Sequence, residues 1–164
     1  MIARALLAAL LLAASPLQAA EPQPFDGASP AALARAHRDQ PYIVVFWSLY
    51  CEPCREEMHQ WGELQRRHPQ VPIHLVSTDG RQELGNVRKY LGGQKLGKVQ
   101  TWIFSDEFTE RVRFAVDPAW RGELPRTYLY DRAHRALARS GKMPAREISD
   151  WITNNAAGAR PAPR

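Results

Sequence analysis

The sequence predicts an α/β fold in which helices flank a central mixed β-sheet. The first basis is an apolar run at Tyr42–Trp47, followed by a helix-like run at 55–67 and a second apolar run at 71–77. A strand, a helix and a strand in this order form a βαβ unit with parallel strands. The second basis is a pair of strands predicted at 127–130 and 136–140. They follow each other too closely for a crossover helix, so they should pair antiparallel.

The remaining elements follow in chain order from turn residues and apolar spacing. The Pro-containing stretch 21–27 is predicted to be an irregular lead-in, and Ser29 is the predicted N-cap of a helix with Pro30 at its first position. A turn at 78–80 should precede a helix over 82–91. Further along, the sequence predicts a strand at 101–104, a helix capped by Asp106 that runs to 116 and buries Phe108, Val112 and Val116, an aromatic loop at 119–124 and a last helix at 144–154.

The composition favours one globular domain without a nucleic-acid partner. The chain has 164 residues, of which 45% are hydrophobic, so it can build an ordinary core. Its formal net charge is +5, yet the basic residues are dispersed among acids and are densest only in pairs such as Arg66-Arg67. A nucleic-acid groove would need a basic patch or stripe.

The N-terminus predicts export. Arg4 precedes an apolar run at 5–14, and small residues at 15–20 suit a signal-peptidase site. The apolar run is too short for a comfortable transmembrane helix. We therefore predict a signal peptide at 1–20, a domain at 21–155 and a flexible tail at 156–164. The mature protein should be periplasmic or otherwise extracytoplasmic, and soluble without stable membrane insertion.

The two cysteines of the chain, Cys51 and Cys54, stand between the first predicted strand and the helix that follows it. The free N–H groups and the positive dipole end of a helix start favour a thiolate at Cys51, while Cys54 lies one turn further in. A structural disulfide across so short a ring would restrict little of the unfolded chain. The pattern therefore predicts a redox dithiol, in which Cys51 attacks a sulfur and Cys54 resolves the mixed disulfide.

Two segments give the chain a resemblance to a known family. The sequence Trp-Ser-Leu-Tyr-Cys-Glu-Pro-Cys-Arg-Glu-Glu at 47–57, the βαβ pattern, and Leu-Pro-Arg-Thr-Tyr-Leu-Tyr-Asp at 124–131 resemble the thioredoxin fold. More narrowly, they resemble the exported TlpA/ResA-type thiol-disulfide reductases. The resemblance covers about 40–152, and its specific parts are the Cys-Glu-Pro-Cys quartet and the Pro-x-Thr-aromatic segment.

This resemblance implies roles for particular residues. Cys51 would be the attacking thiol and Cys54 the resolving one. Pro125 would be a cis-proline that faces the dithiol and leaves the backbone of Leu124 free to pair with an extended substrate. It implies no cofactor beyond the redox-active Cys51–Cys54 disulfide, and no metal. The implied partners are oxidised protein substrates and a membrane thiol electron donor.

The chain also departs from the family pattern. Val45 stands where thioredoxin has a buried aspartate, and Tyr50 stands where the family usually has tryptophan, so an aromatic ring would still flank the thiol. Asp79 lies near the place where these reductases carry an acid, although an ordinary turn aspartate explains it equally well. Trp120, in the loop before Pro125, would contact substrate if its indole is exposed and would otherwise anchor the core.

The residues between the cysteines predict the direction of electron flow. Pro53 suits the first turn of a helix, and Glu52 places a negative charge beside Cys51 that should raise the pKa of its thiol. A less stable thiolate makes the disulfide less oxidising. We therefore expect a reductase, for which the family resemblance adds cytochrome c maturation as one destination; a disulfide oxidase or isomerase is an alternative.

A Cu(I) carrier is an alternative from a different class. Two thiolates bind Cu(I), and Met58 and His59 lie close by in the sequence. However, Met58 falls on the predicted core face of the helix and His59 should point away from it. The other histidines that we considered (His37, His68, His74 and His134) are dispersed in sequence and predict no metal site.

Overall fold

The computed structural model describes residues 21–156. The predicted signal peptide at 1–20 lies outside the described residues, as does the predicted tail apart from Ala156, which ends the last helix. Within the described part of the chain, no helix has the length and apolar character needed to cross a membrane.

A mixed sheet of six strands forms the centre of the molecule. The strands are β1 (Gln23–Phe25), β2 (Tyr42–Trp47), β3 (Ile73–Ser77), β4 (Gln100–Phe104), β5 (Arg126–Tyr130) and β6 (Ala136–Ser140). Their order across the sheet is β1-β4-β3-β2-β5-β6. The first four are parallel, whereas β5 pairs antiparallel with β2 and β6 pairs antiparallel with β5. The predicted βαβ unit, the antiparallel pair and the α/β fold class are confirmed.

Helices cover both faces of this sheet. They are α1 (Ser29–Ala36), α2 (Glu52–Arg67), α3 (Leu84–Gly92), α4 (Thr109–Val116) and α5 (Ala145–Ala156), with a 3₁₀ turn at Arg81–Glu83 before α3. One core cluster packs α2, α3 and α5 on the sheet, and a second cluster packs α1 and α4 on the other face. The apolar stripes of the helices explain this arrangement, since each must bury its apolar side.

Strand β2 contributes to both clusters, as its continuous apolar sequence predicts. Ile43, Val45 and Trp47 point into the first cluster, while Tyr42, Val44 and Phe46 point into the second. The strand is therefore buried along its whole length and fixes the position of the loop that follows it.

Strand β1 contradicts the irregular lead-in predicted for 21–27. It pairs in parallel with β4, and Phe25 is fully buried in the second cluster. The strand has only three residues and contains Pro24, which an edge strand tolerates because one side of it needs no ladder partner. A pattern this short carries too little periodicity to predict a strand.

Two helix starts also differ from the prediction. Ser29 is not an N-cap; instead, Asp26 accepts hydrogen bonds from the backbone N–H groups of Ala28 and Ser29. Phe108 was expected in the core but is 50% exposed, because it lies one residue before α4. Asp106 caps this turn by accepting the N–H of Phe108.

The ends of three strands meet at one edge of the sheet. Trp47 at the end of β2 pairs with Ser77 at the end of β3, and Phe46 pairs with Arg126 at the start of β5. The segments that follow β2 and β3 and the segment that precedes β5 therefore lie together. These segments carry most of the residues singled out from the sequence.

Candidate active site

Cys51 and Cys54 form a disulfide at the start of α2, with their Cα atoms 5.3 Å apart. Cys51 is the N-cap residue and is half-exposed, whereas Cys54 is only 1% exposed. The Sγ atom of Cys51 accepts the backbone N–H of Cys54 at 3.2 Å. In the reduced protein, the same N–H and the helix dipole would stabilise a thiolate at Cys51. The accessible sulfur is thus the one that sequence reasoning chose as the nucleophile.

The residues between the cysteines form the first turn of α2. The helix starts at Glu52 with Cys51 as its N-cap, so the cysteine pair lies at a helix start as the sequence predicts. Pro53 fits the first turn because its missing N–H would have no helical partner there. The side chain of Glu52 is exposed, so it adds negative charge next to Cys51 without being held in the core.

Asp79 anchors the segment that leads to Cys51. It is 8% exposed and accepts three hydrogen bonds, from Ser48 Oγ at 2.7 Å, Ser77 Oγ at 2.7 Å and the backbone N–H of Leu49 at 2.9 Å. The carboxylate therefore joins the segment after β2 to the end of β3. Its bonds position the turn, so Asp79 does more than a surface turn aspartate does.

The turn itself carries further hydrogen bonds. Ser48 Oγ accepts the N–H of Tyr50 at 3.1 Å, and the carbonyl oxygen of Ser48 accepts the N–H of Cys51 at 3.2 Å. The side chain of Tyr50 is 78% exposed, and the Glu83 carboxylate near its hydroxyl raises the pKa of Tyr50. Tyr50, whose ring is exposed, is the residue directly before Cys51, and its contact with a partner stays a prediction.

Glu57 is a buried carboxyl on α2 that sequence reasoning did not single out. It lies one helical turn after Cys54 and is only 6% exposed, and burial raises the pKa of its carboxyl to about 7. Its Oε2 accepts the N–H of Met143 at 3.3 Å, while Oε1 has no hydrogen-bond partner among the described residues. The sequence spacing could have indicated its burial, because a residue three positions after Cys54 falls on the apolar face of α2.

Leu124 and Pro125 lie at the same edge of the sheet as the dithiol. The peptide bond between them is cis, as the family resemblance implied. Since Arg126 opposes Phe46 in the antiparallel pair, Pro125 comes next to the end of β2, where the chain turns toward Cys51. Leu124 is half-buried and packs against both core clusters. The pairing of its backbone with a substrate stays a prediction.

Solved structures of other proteins share this architecture. The structure of MTB DsbF, in its mixed oxidised and reduced forms, aligns with a TM-score of 0.60 and 17% identity over 73% of this chain and 84% of the DsbF chain. A secreted Mycobacterium tuberculosis disulfide oxidoreductase homologous to E. coli DsbE gives 0.58 and 15%, over 73% and 85%. A thiol:disulfide interchange protein of the thioredoxin family from Chlorobium tepidum gives 0.60 and 17%, over 74% and 83%.

The chain has a thioredoxin-like fold. No protein-family model and no curated protein sequence matches it. At identities of 15% to 17%, the likeness to solved structures shows the fold alone. Two of these neighbours are described as a disulfide oxidoreductase and a thiol:disulfide interchange protein, the class of protein that the sequence resembles.

Trp120, in the loop before Pro125, is buried, so the structure supports the core-anchoring role among the two that the sequence left open. The indole is 4% exposed, its ring lies 4.6 Å from that of Phe46, and its Nε1–H donates to the carbonyl oxygen of Glu123 at 3.1 Å. Trp120 therefore anchors this loop of the thioredoxin-like fold to the second core cluster.

The side chains considered for Cu(I) do not converge on the dithiol. Met58 is 1% exposed within the first core cluster, and His59 is exposed on the opposite side of α2. Among residues 21–156, no group of three or more histidine, cysteine or carboxylate side chains is arranged to hold a metal ion.

Two of the histidines expected to be dispersed are in contact. The Nε2 atoms of His37 and His74 lie 2.9 Å apart, and both rings are buried. They lie near the start of β2, at the end of the sheet away from the dithiol, and take no part in the candidate site.

Proposed function

We propose that this protein is an exported thiol-disulfide oxidoreductase that reduces disulfides of protein substrates through Cys51 and Cys54. The observation that carries the proposal is a half-exposed sulfur at a helix start, bonded to a buried sulfur one turn further in. Dithiol exchange needs one accessible attacking sulfur and one protected resolving sulfur. The disulfide oxidoreductases among the structural neighbours support the same chemistry.

The reaction starts from the reduced protein. The thiolate of Cys51 attacks one sulfur of a substrate disulfide, forming a mixed disulfide and releasing the first substrate thiolate. Cys54 then loses its proton and attacks the Sγ atom of Cys51. This step closes the Cys51–Cys54 disulfide and releases the second substrate thiolate. The substrate gains two electrons and, after protonation, two protons, and a thiol donor must reduce the protein again.

Glu57 is the group that accepts the proton of Cys54. Val45 occupies the place of the aspartate that thioredoxin has in this strand, so another base is required. Glu57 follows Cys54 by three residues on a helix, which makes the two side chains neighbours. Its pKa of about 7 keeps both the acid and the carboxylate populated near neutral pH, as proton transfer in both directions requires.

The surroundings of Cys51 bind and orient the substrate. The backbone of Leu124, before Pro125, would pair with an extended substrate segment, and the exposed ring of Tyr50 would cover its side chains. Asp79 acts through the turn and is a positioning residue. These residues would contact several positions along an extended chain, so they suit an oxidised polypeptide better than a small disulfide molecule as the substrate.

Electron flow should run toward the substrate because Glu52 disfavours the Cys51 thiolate. A membrane thiol donor outside the cytoplasm would then keep the protein reduced, and cytochrome c maturation is one pathway that uses such a reductase. Equilibration with a reference dithiol should give a potential nearer the roughly −270 mV of thioredoxin than the roughly −120 mV of DsbA. A value above about −150 mV would assign an oxidase instead.

Trapping tests the exchange mechanism directly. Cys54→Ser leaves the attacking sulfur without its resolving partner, so mixed disulfides with protein substrates should accumulate and should disappear on reduction. Cys51→Ser is the matched control and should trap none. If Cys54→Ser traps no protein while its Cys51 thiol reacts with an alkylating reagent, the protein is not a thiol-exchange enzyme.

A further inference from the structure

A cleft of about 400 Å³ opens at the end of the sheet that lies away from the dithiol. It is formed by the end of α1 and the turn between β5 and β6. Tyr130 at the end of β5 pairs with Tyr42 at the start of β2, so this turn and Cys51 are at opposite ends of β2. The residues that line the cleft are Ala34, Arg35, Arg38, Asp39, Arg132, Ala133 and His134.

The charge of the cleft is strongly one-sided. Three arginines, Arg35, Arg38 and Arg132, line the cleft together with a single acidic residue, Asp39. Within residues 21–156, none of the three arginines forms an ion pair, whereas the nearby Arg135 pairs with Asp131 at 2.8 Å. The cleft therefore holds two positive charges that no described carboxylate balances.

Arg132 is not explained as an ordinary solvated arginine on the protein surface. Arg35 and Arg38 lie near the C-terminal end of α1, where cations also stabilise the helix dipole. Arg132 belongs to a different element, and its Nε–H is buried without a hydrogen-bond partner among the described residues. Its one described hydrogen bond is a long one, from Nη2 to the carbonyl oxygen of Ala156 at 3.5 Å. Buried N–H groups without partners are rare in folded proteins and call for a ligand or water.

The walls of the cleft are held in place by the backbone. Asp39 and His134 both adopt positive φ angles, of 60° and 57°, which turn the chain sharply on either side of the cleft. His134 also donates from Nε2 to the carbonyl oxygen of His37 at 3.0 Å, which ties the β5–β6 turn to the end of α1. The two basic walls are thus fixed relative to each other before any ligand binds.

We propose that this cleft binds a phosphate group, carried by a soluble phosphomonoester or by a lipid headgroup. A guanidinium presents planar N–H donors that match phosphate oxygens, and several guanidiniums around one cleft favour a doubly charged ligand over a single carboxylate. A phosphomonoester dianion balances the two surplus charges and supplies an acceptor for the Arg132 Nε–H. The proposal does not depend on the redox chemistry, because the cleft shares no residue with the dithiol site.

The first test is a titration of the purified protein with inorganic phosphate at constant ionic strength, in which the amide chemical shifts are measured by NMR. Saturable shifts should be confined to residues 34–39 and 132–134. Arg132→Gln and, separately, Arg38→Gln should weaken the binding by at least about tenfold, since each removes a charge-assisted contact. Arg38 is exposed and carries no described hydrogen bond, so its variant tests the site without threatening the fold.

Arg146→Gln is the matched control, because Arg146 has a side chain 94% exposed on α5 and lies outside the cleft. This variant should bind phosphate as the unmodified protein does, and all three variants should retain disulfide reduction. Shifts spread over the whole surface, or an equal loss in Arg146→Gln, would mean that phosphate responds only to net charge and would overturn the proposal.

A second arm distinguishes the two sources of phosphate. Cosedimentation with vesicles that contain phosphatidic acid, compared with vesicles of phosphatidylcholine alone, should occur and should be lost in Arg132→Gln if the ligand is a headgroup. Binding of glycerol 3-phosphate without vesicle binding would assign a soluble ligand. Failure of inorganic phosphate, glycerol 3-phosphate and vesicles alike would refute the site.

Discussion

If Glu57 accepts the proton of Cys54, as we propose, it should decide how the second half of the exchange responds to pH. Glu57→Gln keeps the shape of the side chain but removes the proton acceptor, so resolution by Cys54 should slow by about 10² at pH 7. The attack by Cys51 on a substrate disulfide should not change. Single-turnover kinetics separate the two steps, and the pH profile of resolution should lose its inflection near the pKa of about 7.

Glu56→Gln provides the comparison for this variant. Glu56 is the exposed neighbour of Glu57, and its Oε2 pairs with Lys142 at 2.6 Å on the surface. Its loss should leave both kinetic steps and the inflection unchanged. An equal slowing in both variants would remove Glu57 from the proton transfer.

Asp79 should affect stability and the Cys51 thiol together. In Asp79→Asn one side-chain oxygen becomes an N–H₂ donor, so the three donors it faces can no longer all be accepted. We expect a loss of about 1 to 3 kcal/mol in the free energy of unfolding. We also expect a changed pKa of the Cys51 thiol, measured by its alkylation rate against pH, because the turn that carries the thiol loosens.

Asp106→Asn is the appropriate control for the effect of the amide itself. Asp106 accepts one exposed hydrogen bond, from the N–H of Phe108, and its amide can still accept it. A thiol pKa that is the same in Asp79→Asn as in the unmodified protein would show that the turn does not position the sulfur.

At the level of elements, the long apolar patterns were predictable and the contacts between loops were not. Strands β2 and β6 have the predicted bounds. Each is a run of five or six residues that is bounded by turn residues, which is enough to define a strand. The cysteine pair and Pro53 also predicted that a helix starts at this point of the chain, and α2 begins at Glu52. The network of Asp79 joins two loops 30 residues apart, and one sequence does not show which loops meet.

The loop before β5 also makes a contact that one sequence does not show, and this contact gives a prediction for stability. The sequence shows Trp120 as an aromatic residue near the site, but only the fold brings Phe46 against it. Trp120→Ala should lower the free energy of unfolding by about 3 to 5 kcal/mol, as for other buried large aromatic residues. Urea denaturation measures this, and Phe114→Ala, at a ring 69% exposed on α4, should change it by less than about 0.5 kcal/mol. Similar losses in the two variants would contradict the core role of Trp120.

In the molecule as a whole, the end of the sheet away from the dithiol contains a buried chain of hydrogen bonds. Trp102 Nε1–H donates to His74 Nδ1 at 3.1 Å, so a neutral His74 carries its proton on Nε2 and donates it to His37 Nε2. A second proton on this pair would place two N–H groups against each other. Burial accordingly lowers the pKa of His74 to about 3 and also lowers that of His37.

Acid should therefore destabilise the fold. Unfolded His74 binds a proton below about pH 6.5, whereas folded His74 stays neutral down to about pH 3, so unfolding takes up a proton and the stability falls across that range. The slope should approach about 1.4 kcal/mol per pH unit for each proton taken up. The raised pKa of Glu57 has the opposite sign, since its contribution falls as pH rises from 4.5 to about 7.

Urea denaturation between pH 7 and pH 4 in a Glu57→Gln background isolates the histidine contribution. Replacing His74 with Asn in that background should flatten the dependence, whereas replacing the exposed His59 with Asn should not. A dependence that survives loss of His74 would have to arise from other groups.

The three hydrogen bonds accepted by Asp79 have a consequence for how the protein meets its partners. Because the carboxylate fastens the Cys51 turn to two adjacent strands, we expect that turn to keep its position when the sulfur–sulfur bond opens. The oxidised and reduced forms would then offer nearly the same surface. An electron donor and a substrate that dock on this surface would be told apart by the state of two sulfur atoms, and scarcely by a change of shape.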